Sequence, residues 1–343
     1  MSKNIFILGA SGFIGGEILY QLLQEFPEFS ISCLLRSEEK AKKLQTATGN
    51  RISVVLGDLK SANVLEQKFQ EADIVITAAD VDDEESIEVL AKVAKVKTKP
   101  FYIIHTSGTC VLNDGLGPDT VKKFSGVPYN DLTDNEKLNQ LPDEQPHRRV
   151  EKLVLSIEKS NPKYVKTAII CASTVYGFNH GWFHRISCQV PWLIKYSLAN
   201  DQAFSVYNGN YIWSHVHVRD LGKLFILVLI KMLEDDKELP TGTKGYFFAE
   251  NGYHYWKDVS KAVERTLLDR NKISQEGVAE LEPSQVEKLC SVHFAPYMWG
   301  TNCFSKADLS RKIGWKADFS DVTFWEDIIQ QADYHLDGTI ASY

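Results

Sequence analysis

Near its start the chain passes from an apolar run, Ile5 to Leu8, into Gly9-Ala10-Ser11-Gly12-Phe13-Ile14-Gly15, and then into an amphipathic stretch reaching Phe26. A strand that gives way to G-x-x-G-x-x-G and then to a helix constrains the fold more than any other feature here. Residues without side chains let the backbone turn tightly and come close to a pyrophosphate, which then sits at the positive end of the helix. Gly9, Ser11, Gly12, Phe13, Ile14 and Gly15 are therefore expected to cradle the phosphates of a dinucleotide.

The rest of the N-terminal half agrees with that start. Short apolar runs alternate with amphipathic helical stretches, which calls for a parallel sheet with helices on both faces. The expected strands are Asn4 to Leu8, Ser30 to Leu35, Ile52 to Leu56, Ile74 to Thr77, Phe101 to Thr106 and Lys166 to Cys171. Residues 113–146, rich in acidic residues, Gly and Pro, read as an irregular solvated insertion. An apolar period through Val150, Leu153, Val154 and Ile157 then predicts a helix from His147 to Lys159. These signals predict an α/β fold, a Rossmann-type doubly wound parallel sheet with a smaller C-terminal substrate lobe. The dinucleotide-binding core is placed at 1–172 and the lobe mainly at 173–343, with some segments returning to the core. Within the lobe, Phe204 to His217 reads as a hairpin turning at Asn208-Gly209-Asn210.

Composition narrows the partners. A formal charge of -7 on 343 residues leaves no basic surface for nucleic acid, so a small molecule is the expected ligand. No apolar stretch is long enough to cross a bilayer, and no secretory leader is legible, which predicts a soluble, cytoplasmic protein. The six cysteines are scattered, without metal-ligand spacing, and no metal is expected.

The end of the second strand bears on cofactor choice. An acidic residue there takes the ribose hydroxyls of NAD, whereas a cation accommodates the 2′-phosphate of NADP. This chain reads Leu35-Arg36-Ser37, with Lys40 and Lys43 in the following helix. A guanidinium grips a phosphate through paired charge-assisted hydrogen bonds, so NADP(H) is expected ahead of NAD(H). Asp58 and Leu59 after the third strand, and Ala78 and Ala79 after the fourth, are expected beside the adenosine and the pyrophosphate.

Several segments together resemble the extended short-chain dehydrogenase/reductases. They are L-G-A-S-G-F-I-G at the start, R-S after the second strand, G-D-L after the third and H-T-S-G-T after the fifth. Ser173-Thr174-Val175-Tyr176-Gly177, His215 to Leu221, Phe304 to Ala307 and Ile313-Gly314-Trp315 continue the match over most of the chain. Within the family the chain looks closest to fungal proteins described as NAD-dependent epimerase/dehydratase-like. The resemblance implies a catalytic Ser or Thr, and a Tyr and a Lys spaced Y-x-x-x-K on one helix facing the nicotinamide. Lys152 fits the lysine position, but Arg148 stands where the tyrosine is expected. Gly108 stands at the hydroxyl position, flanked by Ser107 and Thr109. The resemblance thus implies Lys152, Ser107, Thr109 and Arg148 as catalytic positions, with Thr106, Lys152 and Ser173 also against the cofactor. Arginine donates no proton near neutral pH. His147, Tyr129, Tyr176 and His180 are the substitutes within reach, and Tyr129, Tyr176, His180 and Trp213 are expected to line the substrate pocket.

The leading expectation is an NADP(H)-dependent oxidoreductase acting on a small carbonyl or alcohol. A catalytically silent NADP(H)-binding sensor or scaffold is the alternative, and an NAD-dependent sugar-nucleotide epimerase or dehydratase the weaker one. Two helices on one sheet face could pair across a homodimer, as in many relatives.

Overall fold

The computed structural model describes residues 2–336. Its central sheet has seven parallel strands. Five are β1 (Asn4–Leu8), β2 (Ser30–Leu35), β3 (Ile52–Leu56), β4 (Ile74–Thr77) and β5 (Phe101–Gly108). Outside β5 lie Val165–Ala172 and then Tyr246–Ala249 at the edge, so the chain order reverses between β1 and β4. Ile7 is opposite both Cys33 and Ile76, and the alternating faces of β1 are fully covered. A strand buried on both faces reads as a continuous apolar run, which is why these strands were legible. Tyr246–Ala249, in contrast, is four residues long and lies within the stretch read as the lobe, so the seventh strand escaped the sequence reading.

Helices cover both faces. In α1 (Phe13–Glu25), Ile18, Leu19, Leu22 and Leu23 face the sheet. The next helices are α2 (Glu38–Ala47), α3 (Ala62–Glu71) and α4 (Glu84–Lys95). The Asp83 side chain caps α4 by accepting from the Ser86 amide, with Glu84 and Glu85 in the first turn and Lys92 and Lys95 in the last, so charges oppose the helix dipole at both ends. Helix Arg148–Ser160 packs beside α4. The exposed residues of this pair include Glu85, Glu88, Lys92, Lys95, Arg149, Lys152, Ser156 and Lys159.

The lobe has its own core, in which Phe204, Tyr211, Trp213, Trp256, Trp299 and Phe324 are buried. Two expectations are corrected here. First, Phe204 to His217 is not a hairpin. Phe204–Val206 pairs in parallel with Ala279–Leu281, whereas Ile212–His217 lies between Thr174–Tyr176 and Tyr253–Tyr255. Both strands are buried throughout, so each finds partners on its own side of the turn instead of leaving one face to solvent. Second, residues 113–146 are exposed over much of their length but are pinned to the fold at buried points. Asp131 is buried and accepts from the amides of Phe248 (3.0 Å) and Leu309 (2.7 Å). Asp114 accepts from the backbone and side chain of Asn302, and the Tyr211 hydroxyl donates to the Gly117 carbonyl at 3.1 Å. The polar residues of this segment satisfy buried backbone groups of the lobe and edge strand, which composition cannot distinguish from hydration. Among the described residues no helix is long and apolar enough to cross a membrane.

Candidate functional site

The carboxyl ends of β1, β4 and β5 open where the strand order reverses, the position at which such sheets bind ligands. A pocket there is lined by Leu8, Leu59, Thr77, Ala79, His105 and Thr106. The glycines divide the work around it. Gly9 has φ of 92°, and a Cβ on it would lie 2.1 Å from the Ala78 carbonyl oxygen; one on Gly15 would lie 2.1 Å from the Gly9 carbonyl. Those two glycines let the loop close on β4 and on itself. Gly12 meets only the Gly9 carbonyl, at 3.2 Å, and begins α1 without a side-chain cap. The first amides of α1 therefore point outward with no acceptor, a site for an anion.

At the end of β2, Arg36 is exposed and has no ion pair or side-chain hydrogen bond among the described residues. The Ser37 hydroxyl oxygen accepts from the Lys40 amide (3.3 Å) and starts α2, while Lys43 pairs with Glu39 at 2.6 Å. Trp182 and Phe183 reach over from the lobe to line a hollow with Ser37, Lys40 and Lys43, and the Lys40 ammonium stands 5.8 Å from the Phe183 ring centre. Asp58 is exposed and closes the turn into α3, accepting from the Lys60 amide (3.0 Å) and the Ser61 hydroxyl (2.8 Å). The hydrogen bond from Ser61 holds its carboxyl below the usual range.

The end of β5 is where expectation and structure part. Thr106 and Thr109 have buried hydroxyls with no partner. His105 binds the Thr77 hydroxyl through Nδ1 (2.7 Å), its Nε2 has no partner, and burial pushes its pKa down to about 3, so the ring is neutral. Ser107 donates to Glu151 at 2.6 Å, and the Tyr246 hydroxyl donates to the same Glu151 oxygen at 2.5 Å. Arg148 is 2% exposed and fully engaged: with Glu151 at 3.3 Å, the Asn139 carbonyl at 2.6 Å and the Leu141 carbonyl at 3.2 Å. It anchors the 113–146 segment and does not face the pocket. Lys152 lies on the outside of the helix, half exposed, with its ammonium 2.6 Å from Asp143. The expectation that Arg148 and Lys152 face the nicotinamide is corrected.

The residues turned toward β5 are one position earlier, His147 and Glu151, which keep the same spacing of four. One residue is about 100° of helix rotation, enough to exchange the inner face for the outer. His147 places Nδ1 2.9 Å from Asp82, and its Nε2 would be 3.4 Å from a Cβ on Gly108. Sequence reasoning missed Glu151 and Asp82. The signal available was the His147-x-x-x-Glu151 spacing directly after Pro146.

Other expected pocket residues are elsewhere. Tyr176 is buried, with its hydroxyl on the Ser320 carbonyl and its ring edge-on to His215, His217 and Phe324. Trp213 donates to the Thr301 carbonyl at 2.7 Å inside the lobe core. His180 stacks on Tyr20 and bonds Glu17 of α1. All three are engaged in packing or hydrogen bonding of their own. The Ser173 hydroxyl donates to the Ala249 carbonyl at 2.8 Å, which engages it in joining the sheet to its edge strand. Tyr129 is half buried in a two-residue strand beside Ser305. No cluster of metal-binding side chains occurs among the described residues.

The outward amides of α1, the unpaired Arg36 and the unpartnered hydroxyls of Thr106 and Thr109 suit a dinucleotide, and comparison with known proteins agrees. A family model described as NAD(P)H-binding matches residues 9–126. An Acremonium protein named "Oxidase ucsJ" is 29% identical, the alignment covering 92% of this chain and 93% of that one. An uncharacterized protein of Schizosaccharomyces pombe is 32% identical over 66% of this chain and 71% of its own. Among solved structures, the NAD complex of dTDP-glucose 4,6-dehydratase from Bacillus anthracis superposes with a TM-score of 0.69 at 15% identity, covering 98% of this chain and 97% of that one. With its doubly wound sheet and its glycine loop at the strand reversal, the chain carries an NAD(P)H-binding domain and shares the fold of the solved epimerase and dehydratase structures.

Proposed function

We propose that this protein is an NADP(H)-dependent oxidoreductase acting on a small carbonyl or alcohol. The observation that carries the cofactor choice is Arg36, a cation at the end of β2 that no carboxylate neutralises, beside the Ser37 hydroxyl and Lys40. A free guanidinium there favours a 2′-phosphate, and position 36 itself carries no carboxylate of the kind that takes an unmodified ribose, the nearest being Glu38 and Glu39 in α2. The α1 amides would hold the pyrophosphate, and the Thr106 and Thr109 hydroxyls, otherwise unpaired, would be available to the ribose or the substrate oxygen. When bound, the nicotinamide supplies or accepts a hydride. The printed name of the Acremonium relative, an oxidase, also supports redox chemistry.

A silent NADP(H)-binding protein is the second reading, favoured by the engagement of Arg148 and Lys152 away from the pocket. The deciding measurement is a fluorescence titration with NADPH and NADH, followed by turnover on a panel of aldehydes and ketones. NADPH should bind at least about tenfold more tightly, a gap of roughly 1.4 kcal/mol, and Arg36→Ala should erase that preference. Equal affinities in the unaltered protein would refute the cofactor choice. Tight NADPH binding without turnover on the panel would favour the silent reading.

A further inference from the structure

His147 has a left-handed backbone, with φ of 68°, immediately before helix Arg148–Ser160. Few residues other than glycine adopt that conformation, and here it turns the imidazole off the helix toward β5 and the loop after β4. Nδ1 is 2.9 Å from an Asp82 carboxylate oxygen, an arrangement in which Nδ1–H donates and Nε2 is left for other work. On the other side, Nε2 and Cδ2 come within 3.4 and 3.5 Å of the point where a Cβ on Gly108 would stand. Gly108 holds the position that the family resemblance reserves for a catalytic hydroxyl, so the imidazole fills space left by a missing side chain. The same turn of chain carries the unpartnered hydroxyls of Thr106 and Thr109.

We infer that His147 is the acid–base residue of this site, exchanging a proton between Nε2 and the substrate oxygen, with Asp82 as its positioning residue. The inference rests on the oxidoreductase reading above. In the reducing direction the carbonyl carbon gains a hydride from the reduced nicotinamide. The π pair moves to oxygen, and the oxygen takes the Nε2 proton. The products are an alcohol, oxidised nicotinamide and a neutral imidazole, which regains its proton from water at the 16% of its side chain that is exposed. The division of labour is that of other histidine–carboxylate pairs, in which the carboxylate fixes tautomer and orientation.

The groups facing His147 are Asp82 from the loop after β4, Cys110 and His105 from the β5 region, and Glu151 on its own helix. Burial disfavours the imidazolium, but the hydrogen bond and charge of Asp82, with smaller help from Cys110 and Glu151, outweigh it and hold the pKa above the ordinary value. That direction favours the protonated form that a general acid needs.

Two measurements on the full chain test this. The first needs no substrate: carbethoxylation of His147 by diethyl pyrocarbonate, followed by peptide mass spectrometry with and without saturating NADPH. Bound NADPH should slow modification of His147 at least about fivefold while leaving exposed His293 unchanged; equal rates at full occupancy overturn the placement. The second is NADPH-dependent reduction of an aldehyde and ketone panel that includes 4-nitrobenzaldehyde. His147→Gln should lower kcat about 100-fold or more with NADPH affinity kept within twofold. Asp82→Asn should move the alkaline limb of the pH profile to lower pH, since it removes the partner that raises the His147 pKa. An active protein in which His147→Gln turns over normally overturns this assignment alone. A protein that binds NADPH but reduces nothing on the panel overturns the oxidoreductase reading and the assignment with it.

Discussion

The two ends of the cleft differ in how they use the chain. Around β1 and β2 the candidate ligand-binding groups are backbone amides and unpaired cations such as Arg36, and the glycine pattern is intact. Around β5 and helix Arg148–Ser160 the candidate groups are side chains, and the expected pattern is replaced by His147, Gly108 and a buried Ser107–Glu151–Tyr246 cluster. The lesson is that a site built from backbone can be read from glycine spacing, because the residue's lack of a side chain is itself the requirement. A site built from side chains depends on helix phase, and an offset of one residue sends a lysine to solvent.

The largest expected effect comes from breaking the buried cluster. Glu151→Ala would leave Arg148 charged and unpaired at 2% exposure and remove the acceptor of both Ser107 and Tyr246. A loss of about 3–5 kcal/mol in urea denaturation is expected. A loss under about 1 kcal/mol would show that this end of the cleft is not held by Glu151.

A second test uses the histidines, which differ in the direction that burial and partners move them. His147, beside Asp82, is raised, whereas burial lowers His215 to about 4 and both His105 and His217 to about 3, with His254 well below its ordinary value. These four are neutral in the folded chain, while the unfolded chain takes up their protons below about pH 6.5. Their contribution is thus complete above pH 6.5 and is lost as pH falls toward 4. Asp131 and Asp327, each raised to about 6 chiefly by burial, act in the opposite sense between about pH 6 and 4, since there the folded state binds the extra proton. Four histidines against two carboxylates predict a net fall in Tm of roughly 5 °C or more between pH 7 and 4.5. A flat Tm over that range would contradict the burial of these four histidines.

The smallest effect is expected at Lys152. Its partner Asp143 is exposed, and surface pairs of this kind contribute about 0–1 kcal/mol. Lys152→Ala should leave NADPH affinity within about twofold and stability within about 0.5 kcal/mol. A large loss of cofactor affinity would return this residue to the nicotinamide end and remove the contrast between the two ends.

Six strands, the glycine loop and Arg36 were legible from the chain because each depends on local requirements: apolar runs for strands buried on both faces, small residues for a close turn, a cation next in line after β2. The boundaries of β1 to β4 agree residue for residue, and β5 runs two residues further, to Gly108. The seventh strand, the true partners of Phe204–Val206 and Ile212–His217, and the docking of residues 113–146 were decided by tertiary structure. Each depends on which distant backbone groups need a partner, information that no local window contains. The same holds at the candidate acid–base group. In the sequence His147 is one of four candidate substitutes, and only the fold sets it against Asp82, 65 residues away, and against the space above Gly108. Local sequence specifies how the backbone can bend and which faces are apolar, whereas packing between distant segments decides which polar atoms remain free to meet a ligand.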